Sequence, residues 1–339
     1  MFDWLIHKLE MALISPLGIV NEFVNDGGSR YFWIYCVTGI VMAAWVYHRR
    51  EPQTSFERVL LDHEVWGSRS AINDYSILLI GSLLKVTVLS WAFLNWKAIS
   101  AWVASTLHAV GVHGTVTDGQ AVMLGVMLTL TLFLVDDFLR WWVHYLMHKI
   151  PELWEFHKVH HSAEVLNFTT AERIHPVETI ITSATIAISV GIVNGIFIAL
   201  FGDKLTVVTV FGANAFLAVF NIFGGVLRHS PFWVSFGPRI ERWIISPAMH
   251  HIHHSDKPEH FDKNMGGSLA VWDRIFGTIH IPNGREVERF GIGEETAEFR
   301  SLSTIYFKPF NGSAQLLRGR LSLLAGWLRR AGRPSNASL

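Results

Sequence analysis

The sequence predicts an all-α integral membrane protein, with four to five transmembrane helices and a histidine-rich helical cap on their cytoplasmic side. Half of the 339 residues are apolar, fourteen are tryptophan and 17% are charged, a composition typical of membrane proteins. The formal net charge is zero, so there is no electrostatic case for a nucleic-acid partner. Because Cys36 is the single cysteine, an intrachain disulfide is excluded, a thiolate metal site is disfavoured and histidine is left as the ligand type.

The apolar runs define five candidate spans, each near the ~20 residues that a helix needs to cross a hydrocarbon core. The third span continues as helix through Asp136 and Asp137 into a pair of histidines. The last two spans form a hairpin whose turn is Gly202 to Lys204. The five ranges are 31–47, 75–94, 121–135, 180–200 and 205–223.

Three regions follow from this pattern. Residues 1–30 are an N-terminal interfacial segment, because 1–14 have the spacing of an amphipathic helix. Residues 31–278 hold the spans and the histidines, and form the central transmembrane domain. Residues 279–339 are a cytoplasmic tail whose helix, about 313–330, has a leucine face and arginines suited to a membrane surface.

The distribution of basic residues predicts the orientation. On the histidine-bearing side, 49–69 and 140–173 contribute four basic residues each, and the chain after 223 contributes fifteen. The opposite side has four. By the positive-inside rule the histidines face the cytoplasm.

Histidines recur at metal-ligand spacing. His144 and His148 are four apart on one helical face, and His157 to His161 form a second face, so two faces suggest two metals. The word H-x-x-H-H-S occurs twice, as HKVHHS from His157 and HHIHHS from His250. Two metals at five or six coordination need about ten ligands, so His175 and His229, each beside the end of a span, join the set. The helical register turns His251 away from the metals. The predicted ligands are His144, His148, His157, His160, His161, His175, His229, His250, His253 and His254.

These words resemble the membrane-bound fatty acid hydroxylase and sterol desaturase superfamily, the histidine-box diiron oxygenases. The likeness runs from about residue 74 to 278 and includes R-x-H-P-x-E around His175, R-H-S at His229 and W-D-R-I-F-G-T from Trp272. It implies a cytoplasmic centre of two irons that uses dioxygen and two electrons to hydroxylate, desaturate or demethylate an unactivated C–H bond of a lipid. The electrons would come from a separate protein, cytochrome b5-like or a ferredoxin with its reductase, since no flavin, haem or iron–sulfur motif is present.

Histidine ligands carry no charge, so acidic neighbours are expected to orient the imidazoles. The candidates are Asp137, Glu164, Glu178 and Asp273. The expected location is a bacterial inner membrane, or the endoplasmic reticulum in a eukaryote, with several membrane passes and a cytoplasmic active site.

Two other classes compete. A zinc-dependent membrane hydrolase or isomerase could use the same histidines. A metal transporter is disfavoured because its ionisable ligands would lie within the spans. The substrate stays open among a sterol, a fatty acyl or ether lipid, and a bacterial aminolipid.

Overall fold

The computed structural model describes residues 24–50, 55–87 and 95–331, and this part of the chain is mostly helical, as predicted. Two-residue strands, β1 (Thr209–Val210) and β2 (Ala213–Asn214), pair antiparallel. The α-helices are α1 (Trp33–Arg50), α2 (Phe56–Leu60), α3 (His63–Gly67), α4 (Arg69–Thr87), α5 (Trp96–Ala109), α6 (Asp118–Lys149), α7 (Pro151–His161), α8 (Pro176–Phe201), α9 (Ala215–Ile222), α10 (Pro247–His253), α11 (Val271–Phe276) and α12 (Leu302–Ala331). Short 3-10 segments are Phe168–Glu172, Gly225–His229, Pro258–His260 and Gly293–Phe299.

Among the described residues, α6 and α8 are the two helices long and apolar enough to cross a membrane. Only 28% of the apolar window of α6 and 17% of that of α8 are buried, unlike the core helices of a soluble protein. Ile188, Ile192 and Ile196 are exposed at four-residue steps along α8, which makes one continuous apolar face. A face of this kind is suited to lipid.

Of the other predicted spans, two are covered wholly or partly by helices and one is wrong. Helix α1 covers the first of them, and α4 covers the start of the second, whose residues 88–94 lie outside the described part of the chain, as does the predicted amphipathic helix 1–14. The prediction of a spanning helix at 205–223 is wrong. Phe211 and Gly212 both have positive φ and turn the chain between β1 and β2, which leaves the eight-residue α9, roughly 12 Å long.

Small residues allow α5 to lie close against α8. A Cβ added at Gly191 would come within 2.7 Å of the Ile99 side chain, and one added at Gly195 within 2.7 Å of the Val103 side chain. Close helix approach at glycine is typical of packing in a membrane, where dispersion contacts replace the hydrophobic effect.

Proline begins the three helices α7, α8 and α10. Pro151, Pro176 and Pro247 occupy the first turns of α7, α8 and α10, where a missing N–H costs nothing. Ile150, held extended by the proline after it, separates α6 from α7. The chain therefore reverses between the His144–His148 pair and the His157–His161 word, and the two face each other.

Residues beyond 278 contribute to the core near the His157–His161 word. Phe299 and Ile305 pack with Val159 of α7 and Ile77 of α4, and all four are buried. The predicted division into three regions stays a prediction.

Candidate metal centre

Five histidines from three helices converge in a group that we call the five-histidine cluster. Their candidate ligand atoms all lie within 4.8 Å of one another. In each of them Nε2 is buried and has no hydrogen-bond partner among the described residues. Five unpartnered lone-pair positions around one point would be costly unless a cation lay between them. The members are His144 and His148 of α6, His157 and His161 of α7, and His253 of α10.

The opposite ring nitrogen is held in four of these five histidines. His144 Nδ1 lies 2.8 Å from the carbonyl oxygen of Met265, and His253 Nδ1 lies 2.8 Å from that of Lys263. A carbonyl can only accept, so both rings must carry their proton on Nδ1 and present an Nε2 lone pair. Carboxylates act on the other two: Glu178 lies 3.0 Å from Nδ1 of His157, and Asp262 lies 3.3 Å from Nδ1 of His148.

A second group, the four-histidine cluster, consists of His160, His229, His250 and His254. The Nε2 atoms of His229 and His160 are 3.1 Å apart, those of His250 and His229 are 2.9 Å apart, and those of His254 and His250 are 3.2 Å apart. Nδ1 of His160, His250 and His254 is buried without a partner among the described residues. This cluster thus lacks most of the outer contacts that the five-histidine cluster has.

Each H-x-x-H-H word divides between the two clusters. His157 and His161 of α7 join the five-histidine cluster, whereas His160 joins the four-histidine cluster. In α10, His250 and His254 share a cluster and His253 belongs to the other. The sequence interpretation, in which His157, His160 and His161 formed one face for one metal, is therefore wrong. Residues four apart stay together and the residue between them points about 60° to 100° away, so that both clusters draw on both helices.

Burial keeps the clustered imidazoles neutral. Burial and then the repulsion of neighbouring imidazoles hold the pKa of His161, His250 and His254 well below the usual 6.5. Burial likewise lowers the pKa of His253 to about 3. At neutral pH these four rings therefore keep a lone pair free for a ligand bond.

The spacing of the nitrogens fits a transition metal. With metal–nitrogen bonds of about 2.1 Å, adjacent ligand atoms lie roughly 3.0 Å apart at right angles and roughly 3.4 Å apart in a tetrahedron. The Nε2 separations of 2.9 to 3.2 Å in the four-histidine cluster match the smaller value. Neutral imidazole suits iron, copper and zinc, so both clusters fit the metals expected from the sequence.

His175 lies outside both clusters, which corrects its prediction as a ligand. It is the N-cap residue of α8, where its Nδ1 accepts the backbone N–H of Val177 at 3.2 Å. Its Nε2 lies 3.1 Å from the carbonyl oxygen of Tyr306, and its ring packs against Phe156 and Phe310. Both ring nitrogens are thus engaged with backbone. The sequence argument counted ten ligands from coordination number, and the structure brings nine together.

His251 lies off both clusters, as the helical register predicted. Its ring packs between Trp233 and Phe290, with centroid distances of 5.7 and 5.5 Å. Burial, reinforced by the charge of Arg285, lowers its pKa to about 3.

Of the four predicted acidic partners, only Glu178 contacts a clustered imidazole. Glu164 instead pairs with Arg300 at 2.8 Å on the surface. Its carboxylate is engaged by the Arg300 guanidinium instead of an imidazole.

Asp137 and Asp273 act through backbone rather than directly on an imidazole. Asp137 accepts the N–H of Ser268 at 2.9 Å, and Asp273 accepts the N–H of Met265 at 2.9 Å. Burial raises the pKa of Asp273, against the hydrogen bonds it accepts. Because Met265 offers its carbonyl to His144, these aspartates hold in place the loop that orients the ligand.

The outer partners that sequence reasoning missed come from the loop that contains Asp262, Lys263 and Met265. Two of them act through backbone carbonyls, which no residue type reveals. Asp262 and Asn264 have positive φ, 58° and 54°, so the loop takes a shape that sequence pattern does not predict. Asn264 fixes that shape by donating to the carbonyl oxygen of Met249 at 3.0 Å.

A buried ion pair stabilises the end of the His157–His161 word. Arg173 pairs with Asp74 at 2.8 Å, and both side chains are almost fully buried. The same guanidinium donates to the carbonyl oxygen of Val159 and to Oγ of Ser162. Arg173 therefore fixes the last turn of α7, which carries His160 and His161.

Fold and site together define a helical protein with nine convergent histidines beside the end of a long apolar helix. Residues 129–278, which include all nine, match the family model described as fatty acid hydroxylase. The match confirms the resemblance inferred from the histidine words.

Similar proteins bear names of lipid-oxidising enzymes. The chain is 30% identical to alkylglycerol monooxygenase of Homo sapiens over 179 residues, which are 53% of this chain and 36% of that protein. It is 29% identical to the protein of the same name from Danio rerio over 175 residues, 52% of this chain and 35% of that protein. It is 26% identical to ornithine lipid hydroxylase OlsE of Rhizobium tropici over 248 residues, 72% of this chain and 68% of that protein. The chain thus spans about a third of the length of these alkylglycerol monooxygenases. No solved structure matches it.

Proposed function

We propose that this protein is a membrane diiron oxygenase that uses dioxygen and two external electrons to hydroxylate an unactivated C–H bond of a lipid. The observation that carries the proposal is the pair of histidine clusters next to the end of α6, an apolar helix with an exposed lipid-compatible face. The family of residues 129–278 and the names of the relatives support an oxidoreductase that acts on lipids.

The nine clustered histidines would hold the two metals, one at each cluster. Bound iron supplies the redox chemistry that dioxygen and an inert C–H bond require, whereas zinc has no redox chemistry of its own. The unpartnered Nε2 atoms of the five-histidine cluster and the close Nε2 atoms of the four-histidine cluster are the positions that fit it.

The protein's own groups prepare those ligands. The carbonyl oxygens of Met265 and Lys263, and the carboxylate of Glu178, accept from Nδ1 and so keep the proton off the ligand nitrogen of His144, His253 and His157. Arg173 and the aspartates at 137 and 273 fix the backbone around them. The rings are therefore aimed before any metal arrives, which lowers the conformational cost of binding.

The membrane arrangement belongs to the same proposal. The lipid would reach the site from the bilayer along the exposed apolar surface of α6 and α8, with its reactive carbon near the membrane surface. The excess of basic residues in the segments that carry the histidines supports a cytoplasmic site by the positive-inside rule. A cytochrome b5-like protein, or a ferredoxin with its reductase, would then deliver electrons from that compartment.

The proposed substrate is a lipid such as a fatty acyl or ether lipid, a bacterial aminolipid or a sterol. Alkylglycerol and ornithine lipid are the substrates in the names of the relatives, and a sterol remains compatible with the same site.

The test is lipidomics of cells that express the protein or lack its gene, grown under ¹⁸O₂. We expect a lipid that gains one ¹⁸O atom only when the intact protein is present. His250→Gln should abolish the product, and His108→Gln, a change in a surface pair of stacked histidines away from the clusters, should not. Full activity in a zinc-only, iron-free preparation would contradict the oxygenase and favour the zinc hydrolase or isomerase.

A further inference from the structure

A third group of metal-ligand side chains lies apart from the two clusters. His280 Nε2 is 2.8 Å from an oxygen of Glu286, and His260 Nε2 is 3.4 Å from the same oxygen. The three side chains come from separate segments of the chain: the Pro258–His260 turn, the stretch after α11 and the loop beyond it. Their ligand atoms all lie within 4.8 Å of one another.

The geometry suits a tetrahedral cation. A separation of 3.4 Å is the edge expected between two ligands with bonds of about 2.0 to 2.1 Å. The 2.8 Å contact would need to open by a few tenths of an ångström, which a side chain 30% exposed, such as His280, can do. Two imidazoles and one carboxylate form a ligand set that zinc takes with water in the fourth position.

The carboxylate of Glu286 is available to bind a cation, because the Lys257 ammonium binds other groups. Burial acts to raise the pKa of Glu286, but hydrogen bonds from the Asn283 N–H and from the two histidines outweigh it and lower the pKa. The nearest ammonium, that of Lys257, binds the backbone carbonyl oxygen of Glu286 and the carboxylate of Glu288. The Glu286 carboxylate therefore faces two imidazoles, at 2.8 Å from His280 Nε2 and 3.4 Å from His260 Nε2.

The group borders the loop that orients the five-histidine cluster. His260 begins the stretch that leads to Asp262, Lys263 and Met265, the outer partners of three clustered histidines. At the other side, the Asn264 side chain accepts the backbone N–H of His280 at 2.7 Å and donates to its carbonyl oxygen at 2.8 Å. A cation bound to His260, His280 and Glu286 would fix both ends of this loop.

We propose that His260, His280 and Glu286 form a third metal site, which binds zinc with a water ligand and braces the loop that orients the five-histidine cluster. The proposal rests on the geometry of these three residues and does not depend on the lipid chemistry of the two clusters.

The experiment counts metals in the full-length protein purified in detergent after zinc is added and excess metal is removed by dialysis. We expect the wild type to retain one zinc more than either His280→Gln or Glu286→Gln, with the iron content of all three unchanged. Zinc should also raise the Tm of the wild type above that of the variants. His280→Gln serves as the main variant because its partly exposed side chain makes misfolding a small risk.

Two controls separate this site from the others. His108→Gln changes one member of a stacked histidine pair that lies outside the third site. This variant should retain the extra zinc. The double variant His250→Gln/His254→Gln should lose metal from the four-histidine cluster and still retain the zinc. If wild type and His280→Gln hold the same number of metals and zinc shifts their Tm equally, the third site does not exist, whatever the clusters bind.

Discussion

The two histidine clusters share helices α7 and α10 but differ in how their rings are held. In the five-histidine cluster, four rings have an acceptor at Nδ1, at distances of 2.8 to 3.3 Å. In the four-histidine cluster, three of four rings have a buried Nδ1 with no partner in the described part of the chain. The first is built as a pre-oriented site, whereas the second depends on its metal to fix its rings.

This difference implies that the two clusters bind their metals with unequal affinity. More ligands and more outer hydrogen bonds should make the five-histidine site bind more tightly. The four-histidine site leaves more of the coordination sphere to other ligands, because four nitrogens do not fill a five- or six-coordinate ion. We therefore expect exchange and loss of metal to begin there.

The largest expected effect follows from removal of one ligand from the smaller cluster. His250→Gln should eliminate product formation, because three histidines remain and two of them, His160 and His254, have no partner at Nδ1 among the described residues. His144→Gln leaves four ligands in its cluster and should retain more metal than His250→Gln. The comparison is made by product yield and bound metal at equal protein; the reverse order would contradict the unequal clusters.

Removal of an outer partner should have the next largest effect. Glu178→Ala deprives His157 of its acceptor at 3.0 Å and should weaken metal binding at the five-histidine cluster by about 10- to 100-fold. Titration of the metal-free protein with ferrous ion measures this change. Glu164→Ala is the matched control, since Glu164 contacts Arg300 on the surface, and an equal loss in both variants would contradict the role of Glu178.

The pH dependence of the metal-free protein tests the buried neutral rings. Burial lowers the folded-state pKa of His161, His250 and His254, whereas in the unfolded chain histidine titrates near 6.5. Below about pH 6.5 the unfolded state therefore binds more protons, and the free energy of unfolding should fall as pH falls. Above this pH it should level off. Denaturant unfolding from pH 5 to 8 checks this, and a constant free energy of unfolding would contradict it.

The smallest effect is expected at His175. As an N-cap that accepts the N–H of Val177, it should contribute about 0.5 to 2 kcal/mol to stability, and His175→Gln should keep both cluster metals. Thermal unfolding together with metal content measures both. Loss of a metal from this variant with no loss of stability would restore His175 as a ligand.

Nine of the ten histidines predicted as ligands lie in the two clusters; eight were assigned from helical spacing, which is a local property, and His229 from the coordination count. His144, His148 and the two H-x-x-H-H words could be assigned to helical faces without any knowledge of the fold. The division of each word between clusters could not be predicted, because it depends on how α6, α7 and α10 pack. His175 was misassigned because the coordination count required a tenth ligand, and its backbone partners are set by tertiary contact with Tyr306.

The outer partners were predictable only where a side chain of the expected type lies near in the fold. Glu178 was found because it follows the His-Pro start of α8, whereas Met265 and Lys263 act through carbonyl oxygens that every residue has. The fold was predicted well for the long apolar helices α6 and α8. It was predicted wrongly at 205–223, where an apolar run is divided by the Phe211–Gly212 turn.

Iron content per chain, measured in the purified full-length protein and in one double variant of each cluster, tests the central claim most directly. We expect two irons in the wild type and one in His144→Gln/His148→Gln. We also expect one iron in His250→Gln/His254→Gln, held by the five-histidine cluster. A wild type that binds no more than one iron after iron loading, or double variants that retain two, would contradict the two-cluster diiron centre.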